Sequence, residues 1–143
     1  MRINDVLKAK SSPDVITIAP DASVRDLVAL LAEHNVGALI VSADGESVGG
    51  IVSERDVVRR LHDRPDVLDA PVSEIMTTSV RTCEGDAALN ELMSVMTEHR
   101  VRHVPVLTAG KLIGIISIGD VVKNRIGELE FERDQLDNYV HQT

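Results

Sequence analysis

Gly50-Ile51-Val52-Ser53-Glu54-Arg55-Asp56 recurs sixty-four positions later as Gly114-Ile115-Ile116-Ser117-Ile118-Gly119-Asp120. Each is an apolar run ending in serine, with an aspartate three places on, where a helix would make its first turn. The likeness extends upstream. At an offset of sixty-five, Val15, Thr17, Asp21, Ala22, Leu27, Glu33, His34, Val36, Val41 and Gly45 meet identical residues between Val80 and Gly110. One residue dropped near Ser47 restores the sixty-four offset, which continues through Val57 and Val58 onto Val121 and Val122. Sixteen identities over so short a span exceed what composition supplies. A shorter echo precedes each copy, Ile3-Asn4-Asp5-Val6-Leu7 and Val72-Ser73-Glu74-Ile75-Met76. The chain is a tandem duplication. It reads as repeat 1 over 1–62, a linker over 63–70, repeat 2 over 71–126 and an acidic helical tail over 127–143.

Each copy carries the same string of signals. Val15–Ile18 and Val80–Cys83 are short β-rich runs. Val24, Leu27, Val28 and Leu31, and in the second copy Leu89, Leu92, Met93 and Met96, recur at helical spacing. Asp21 or Ser23 is placed to cap the first of these helices and Asp86 the second. Val36–Val41 and Val101–Leu107 read as buried strands, returned through Asp44-Gly45 and Ala109-Gly110 into Val48–Val52 and Leu112–Ile116. A second helix closes each copy. The expected class is α/β (α+β), a pair of β-α-β-β-α repeats plus a C-terminal helix. One copy alone is marginal, so two packed sheet-to-sheet are expected to share a core.

Composition narrows the function. Of 143 residues, 43% are hydrophobic, yet the only aromatics are Phe131 and Tyr139, so the core is aliphatic. The net charge is −8, from 15 basic and 23 acidic residues. That argues against a nucleic-acid partner, which needs a basic face and often stacking aromatics. The single cysteine, Cys83, fits a reducing compartment, and no apolar run near Met1 suggests a leader or a membrane span. A cytoplasmic protein is expected. Cys83 reads as a small buried hydrophobe, and His34 and His99 as helix-end histidines rather than metal ligands.

The two Gly-h-h-Ser-x-x-Asp segments are where chemistry would sit. A serine hydroxyl and the free N–H groups of a helix start hold phosphate well. A carboxylate accepts paired hydrogen bonds from vicinal ribose hydroxyls. The plainer alternative is equally consistent with the residues: serine as N-cap, aspartate favoured near the positive end of the helix dipole. The residues alone leave both open.

These segments, with His-x-Val-x-x-h-Pro-Val (His99–Val106) before the second, resemble a cystathionine-β-synthase (CBS) domain pair, over residues 1–126. The resemblance implies a pseudo-twofold module with two clefts, commonly taking AMP, ADP, ATP, NAD(H) or S-adenosylmethionine, with no obligatory cofactor, and usually a homodimer. It places Asp56 and Asp120 on ribose and Ser53 and Ser117 near ribose or phosphate. Thr17 and Thr82, with the backbone at Ile16 and Arg81, would line the adenine pocket, and Arg102 and His103 would face phosphates. Arg55 is a further phosphate candidate. The first copy has Gly37 and Ala38 where the second has Arg102 and His103, so the clefts should differ. The fuller polar set of the second copy predicts a larger loss from Asp120→Ala than from Asp56→Ala.

The expected function is a non-catalytic regulatory module sensing an adenosine nucleotide. No phosphate-binding glycine loop, nucleophile elbow or metal-ligand spacing marks an enzyme. The alternative is a ligand-independent dimerising adaptor that presents its C-terminal helix to an effector protein. In the tail, Ile126, Leu129, Leu136 and Val140 form an apolar stripe that should pack on its own module or on a second copy.

Overall fold

The computed structural model describes residues 1–10 and 15–141; the last two residues of the tail and residues 11–14 of the first repeat lie outside it. The order is α1 (Ile3–Ala9), β1 (Thr17–Ile18), α2 (Val24–His34), β2 (Ala38–Val41), β3 (Gly50–Ser53), α3 (Glu54–Asp63), two 3-10 turns (Pro65–Asp69 and Val72–Glu74), β4 (Cys83–Glu84), α4 (Leu89–His99), β5 (His103–Thr108), β6 (Lys111–Ser117) and α5 (Ile118–His141). Each half carries a three-stranded sheet, β1-β2-β3 and β4-β5-β6. In both, the first pair is parallel and the second antiparallel. The duplicated β-α-β-β-α order is as expected.

The two halves do not share one core. Ile18, Leu27, Leu39, Val52 and Val57 belong to one buried cluster, and Leu89, Leu92, Val104, Ile116 and Val121 to another. The two halves are joined by an exchange of short segments. Ile3 and Val6 of α1, both fully buried, sit in the second cluster. Val67 of the linker and Val72 and Ile75 at the start of the second repeat sit in the first. The backbone repeats the exchange: Ile3 N–H donates to Ala87 O at 3.0 Å, and Val72 N–H donates to the equivalent Ala22 O at 2.8 Å. The short echo is therefore a docking segment, and each copy of it packs on the other repeat. The stretch read as a linker carries Val67 into the first core.

Local chemistry explains where the halves diverge. Ser23 caps α2 by accepting from Asp26 N–H at 3.1 Å. Asp86 does not cap α4: the N-cap is Ala88, in Ser23's place, which has no side-chain acceptor. Between β5 and β6 the chain turns at Ala109 and Gly110, both at positive φ (52° and 78°), the two-residue geometry that keeps a hairpin tight. Between β2 and β3 the loop is longer. Asp44 Oδ1 accepts from Glu46 N–H, Ser47 N–H and the Ser42 and Ser47 hydroxyls at 2.8–3.2 Å, so β3 begins only at Gly50. The bonds hold the Asp44 carboxyl well below the usual carboxylate range.

The second-repeat helix and the tail are one continuous α5. Beyond Leu129 the described helix is exposed along its length, and Phe131 and Tyr139 are largely exposed. It does not pack on its own module.

Candidate functional site: two clefts between the halves

Both Ser-x-x-Asp segments make helix capping boxes. Ser53 Oγ accepts from Asp56 N–H at 3.3 Å, while Asp56 Oδ2 accepts from the Ser53 N–H and hydroxyl at 2.8 and 3.0 Å. Ser117 Oγ accepts from Asp120 N–H at 3.1 Å, and Asp120 Oδ2 accepts from Ser117 N–H at 2.9 Å. The local helix-start reading thus holds for both. It does not compete with ligand binding, because it fixes each half-buried carboxylate at the rim of a cavity with Asp56 Oδ1 unused.

The larger cavity, about 580 Å³, lies between Ser117 and Asp120 on one side and Ile16, His34 and Val36 of the first half on the other. Lys123 and Asn124 of α5 close one end, and Lys10 at the end of α1 closes another. Lys10 Nζ donates to Ile115 O at 2.8 Å and pairs with Asp120 Oδ2 at 3.0 Å. Burial acts to raise the Asp120 pKa, but the Ser117 N–H, the Lys10 bond and charge and the Ser117 hydroxyl outweigh it and hold the carboxyl below its ordinary value. The smaller cavity, about 290 Å³, sets Ser53, Arg55 and Asp56 against Val80, Arg81, Arg100 and Arg102 of the second half. Both volumes suit a small-molecule ligand.

The fold brings most of the expected residues together, in a crossed arrangement. Ser53, Arg55, Asp56 and Arg102 share the smaller cleft, and Ser117 and Asp120 the larger. His103 walls both. Thr17 and Thr82 line neither of these two cavities, although their neighbours Ile16 and Arg81 do. The fuller polar set was assigned by repeat, which put Arg102 with Asp120. The structure puts Arg102 with Asp56, because each cleft takes its aspartate from one half and its opposite wall from the other. Lys10, Lys123 and Arg100 were missed. Lys10 reaches Asp120 only because α1 docks on the second half.

The smaller cleft is a basic island in an acidic chain. Arg55, Arg81, Arg100 and Arg102 converge there with Glu54 and Asp56 as the acidic groups. None of the four guanidinium groups has an ion pair or side-chain hydrogen bond among the described residues. Arg100 also holds a left-handed φ of 53° at the C-cap of α4, a conformation that costs a non-glycine residue roughly 1 kcal/mol. In the first half that corner is Asn35, which adopts it readily.

His103 is half-buried, and burial lowers its pKa below 6.5; Lys10 and Arg102 push the same way, while Asp120 and Glu54 push against it. The unfolded chain therefore binds the His103 proton more readily than the folded one, and stability present above pH 6.5 is lost as pH falls below it. His103→Asn is expected to flatten that arm of the stability–pH curve, read by urea unfolding at a series of pH values. An unchanged slope would contradict it. Cys83 is raised to about 11, by burial first and by the Glu84 charge, and its Sγ lies 3.8 Å from Pro105 O. Such a thiol is inert at neutral pH.

No three His, Cys, Asp or Glu side chains group as a metal site among the described residues. No described helix is long and apolar enough to cross a membrane.

A duplicated α+β unit with a capping-box aspartate at the rim of each of two inter-repeat clefts defines a tandem-repeat module. The CBS domain family model matches residues 3–63 and 72–127, and the chain belongs to that family, whose domain pairs are regulatory modules. A mitochondrial CBS domain-containing protein of Arabidopsis thaliana is 34% identical over 96% of this chain and 71% of its own length. The crystal structure of a CBS-domain containing protein from Agrobacterium tumefaciens is 42% identical, with a TM-score of 0.81 over 87% of this chain and 99% of that one. A CBS domain protein from Pyrobaculum aerophilum, complexed with AMP, is 28% identical, with a TM-score of 0.75 over 84% of this chain and 89% of that one.

Proposed function

We propose that this protein is a non-catalytic sensor of adenosine nucleotides, binding one in each cleft, with Asp56 and Asp120 on the ribose. The observation that carries the reading is the pair of rim carboxylates, Asp56 facing Arg81, Arg100 and Arg102 across its cleft and Asp120 beside Lys10 and Lys123, in a chain whose net charge is −8. An anionic ligand with a hydroxylated sugar satisfies both signs at once. The relative complexed with AMP supports the ligand class. The four unpaired arginines favour ADP or ATP in the Asp56 cleft, whereas the larger cleft, with Lys10 tied to Asp120, suits less phosphate.

The signal would leave through α5. Val122, Ile126, Leu129, Leu136 and Val140 recur at alternating spacings of four and three, with Arg133 at the remaining position, the seam of a two-helix coil. A second copy is the occupant proposed for it, which makes the protein a homodimer. Ligand binding acts by preferring one setting of the two halves. A thermal-shift panel of AMP, ADP, ATP, NAD, NADH and S-adenosylmethionine tests the reading. A ligand at 100 times its dissociation constant adds about 2.7 kcal/mol, a rise of several degrees. No shift with any of the six would leave the adaptor alternative.

A further inference from the structure

We infer that His103 couples the two clefts, so that a phosphate-bearing ligand in one weakens binding in the other. This rests on the nucleotide reading above and goes beyond it. By repeat register His103 is the counterpart of Ala38, and Arg102 of Gly37. Equivalent positions of the two repeats thus carry an imidazole in one half and a methyl in the other. The imidazole fills space the first half leaves open: a Cβ built on Gly37 would lie 3.7 Å from both Nε2 and Cε1 of His103, and 3.7 Å from Glu54 Oε1. His103, Gly37 and Ala38 are therefore wall to both cavities.

One side chain serves two sites. A neutral imidazole has a single N–H to donate, and a rotamer that turns it toward one phosphate turns it from the other. Each cleft brings one acid and one base close to the shared wall, Asp120 and Lys10 in the larger and Glu54 and Arg102 in the smaller, so neither alone holds the imidazole. The first ligand takes the donor, and the second binds without it. The loss of one such hydrogen bond is worth about tenfold in affinity.

The test is calorimetric titration of the full chain with AMP. Asp56→Ala and Asp120→Ala each leave one cleft working and report its intrinsic affinity. In the unaltered chain the second AMP should bind about tenfold more weakly than that intrinsic value. In His103→Ala, or His103→Asn if the alanine variant fails to fold, the two sites should become independent, each somewhat weaker. Independent sites in the unaltered chain, positive coupling, coupling that survives removal of His103, or AMP confined to the same single cleft in every variant would each overturn the inference. Absence of AMP binding in all forms, with binding of another panel nucleotide, would overturn the inference and leave the nucleotide reading standing. Absence of binding by every nucleotide overturns the nucleotide reading itself.

Discussion

Ile3→Ala is expected to destabilise the protein by about 3 kcal/mol, although the residue is third in the chain. Truncating a fully buried isoleucine removes its transfer free energy and leaves a cavity the surroundings only partly fill, together about 2–5 kcal/mol. Ile3 has no exposed surface and packs with Val6, Leu89, Leu92 and Ile116. The exposed Lys8 in the same helix, changed to alanine, should cost less than about 0.5 kcal/mol. The location of the damage is the sharper part. Because α1 docks on the second half, Ile3→Ala should speed amide exchange at Val104, Val106 and Ile116 more than at Leu39 and Val52. Val72→Ala should do the reverse, since Val72 fills the first core. Faster exchange in the same half for both variants would contradict the exchanged packing.

Arg81→Ala with Arg102→Ala should weaken ATP binding at least tenfold while leaving adenosine nearly unaffected. Each guanidinium bonded to phosphate contributes about 1.5–3 kcal/mol, and neither arginine has an ion pair or side-chain hydrogen bond among the described residues. The pair removes two of the four positive groups around the smaller cleft. The loss should be steepest at low salt, because the cleft opens to solvent and the attraction is screened. Equal losses for ATP and adenosine would show that the arginines shape the cleft rather than read phosphate. Asp56→Ala should then affect ATP more than Asp120→Ala does, the opposite order from the one the repeat alone suggested.

Most of the fold was legible because duplication writes each signal twice. The apolar β-rich runs, the helical stripes at Leu27–Leu31 and Leu92–Met96, and the serine caps at the ends of β3 and β6 are local, and local patterns survive into the structure. What sequence could not supply is which half each element joins. Ile3–Leu7 and Val72–Met76 resemble one another, but nothing in either string says that it crosses to the other repeat. The same ignorance misassigned Arg102 and hid Lys10, since both depend on packing between residues far apart in the chain. Asp86 was chosen as a cap by its type, whereas the helix starts two residues later at an alanine. The tail's stripe was visible, and the structure removes one of its two expected partners, its own module.

The central claim is that two carboxylates hold the sugar of a bound adenosine nucleotide. Equilibrium titration of a nucleotide into the unaltered protein and into Asp56→Asn/Asp120→Asn tests it most directly. Asparagine keeps one oxygen for the helix cap while removing the charge and turning the other acceptor into a donor, so folding should survive, as a preserved unfolding transition would verify. The account predicts saturable binding to the unaltered chain and at least a tenfold loss in the double variant. Undiminished affinity in a folded double variant would contradict it.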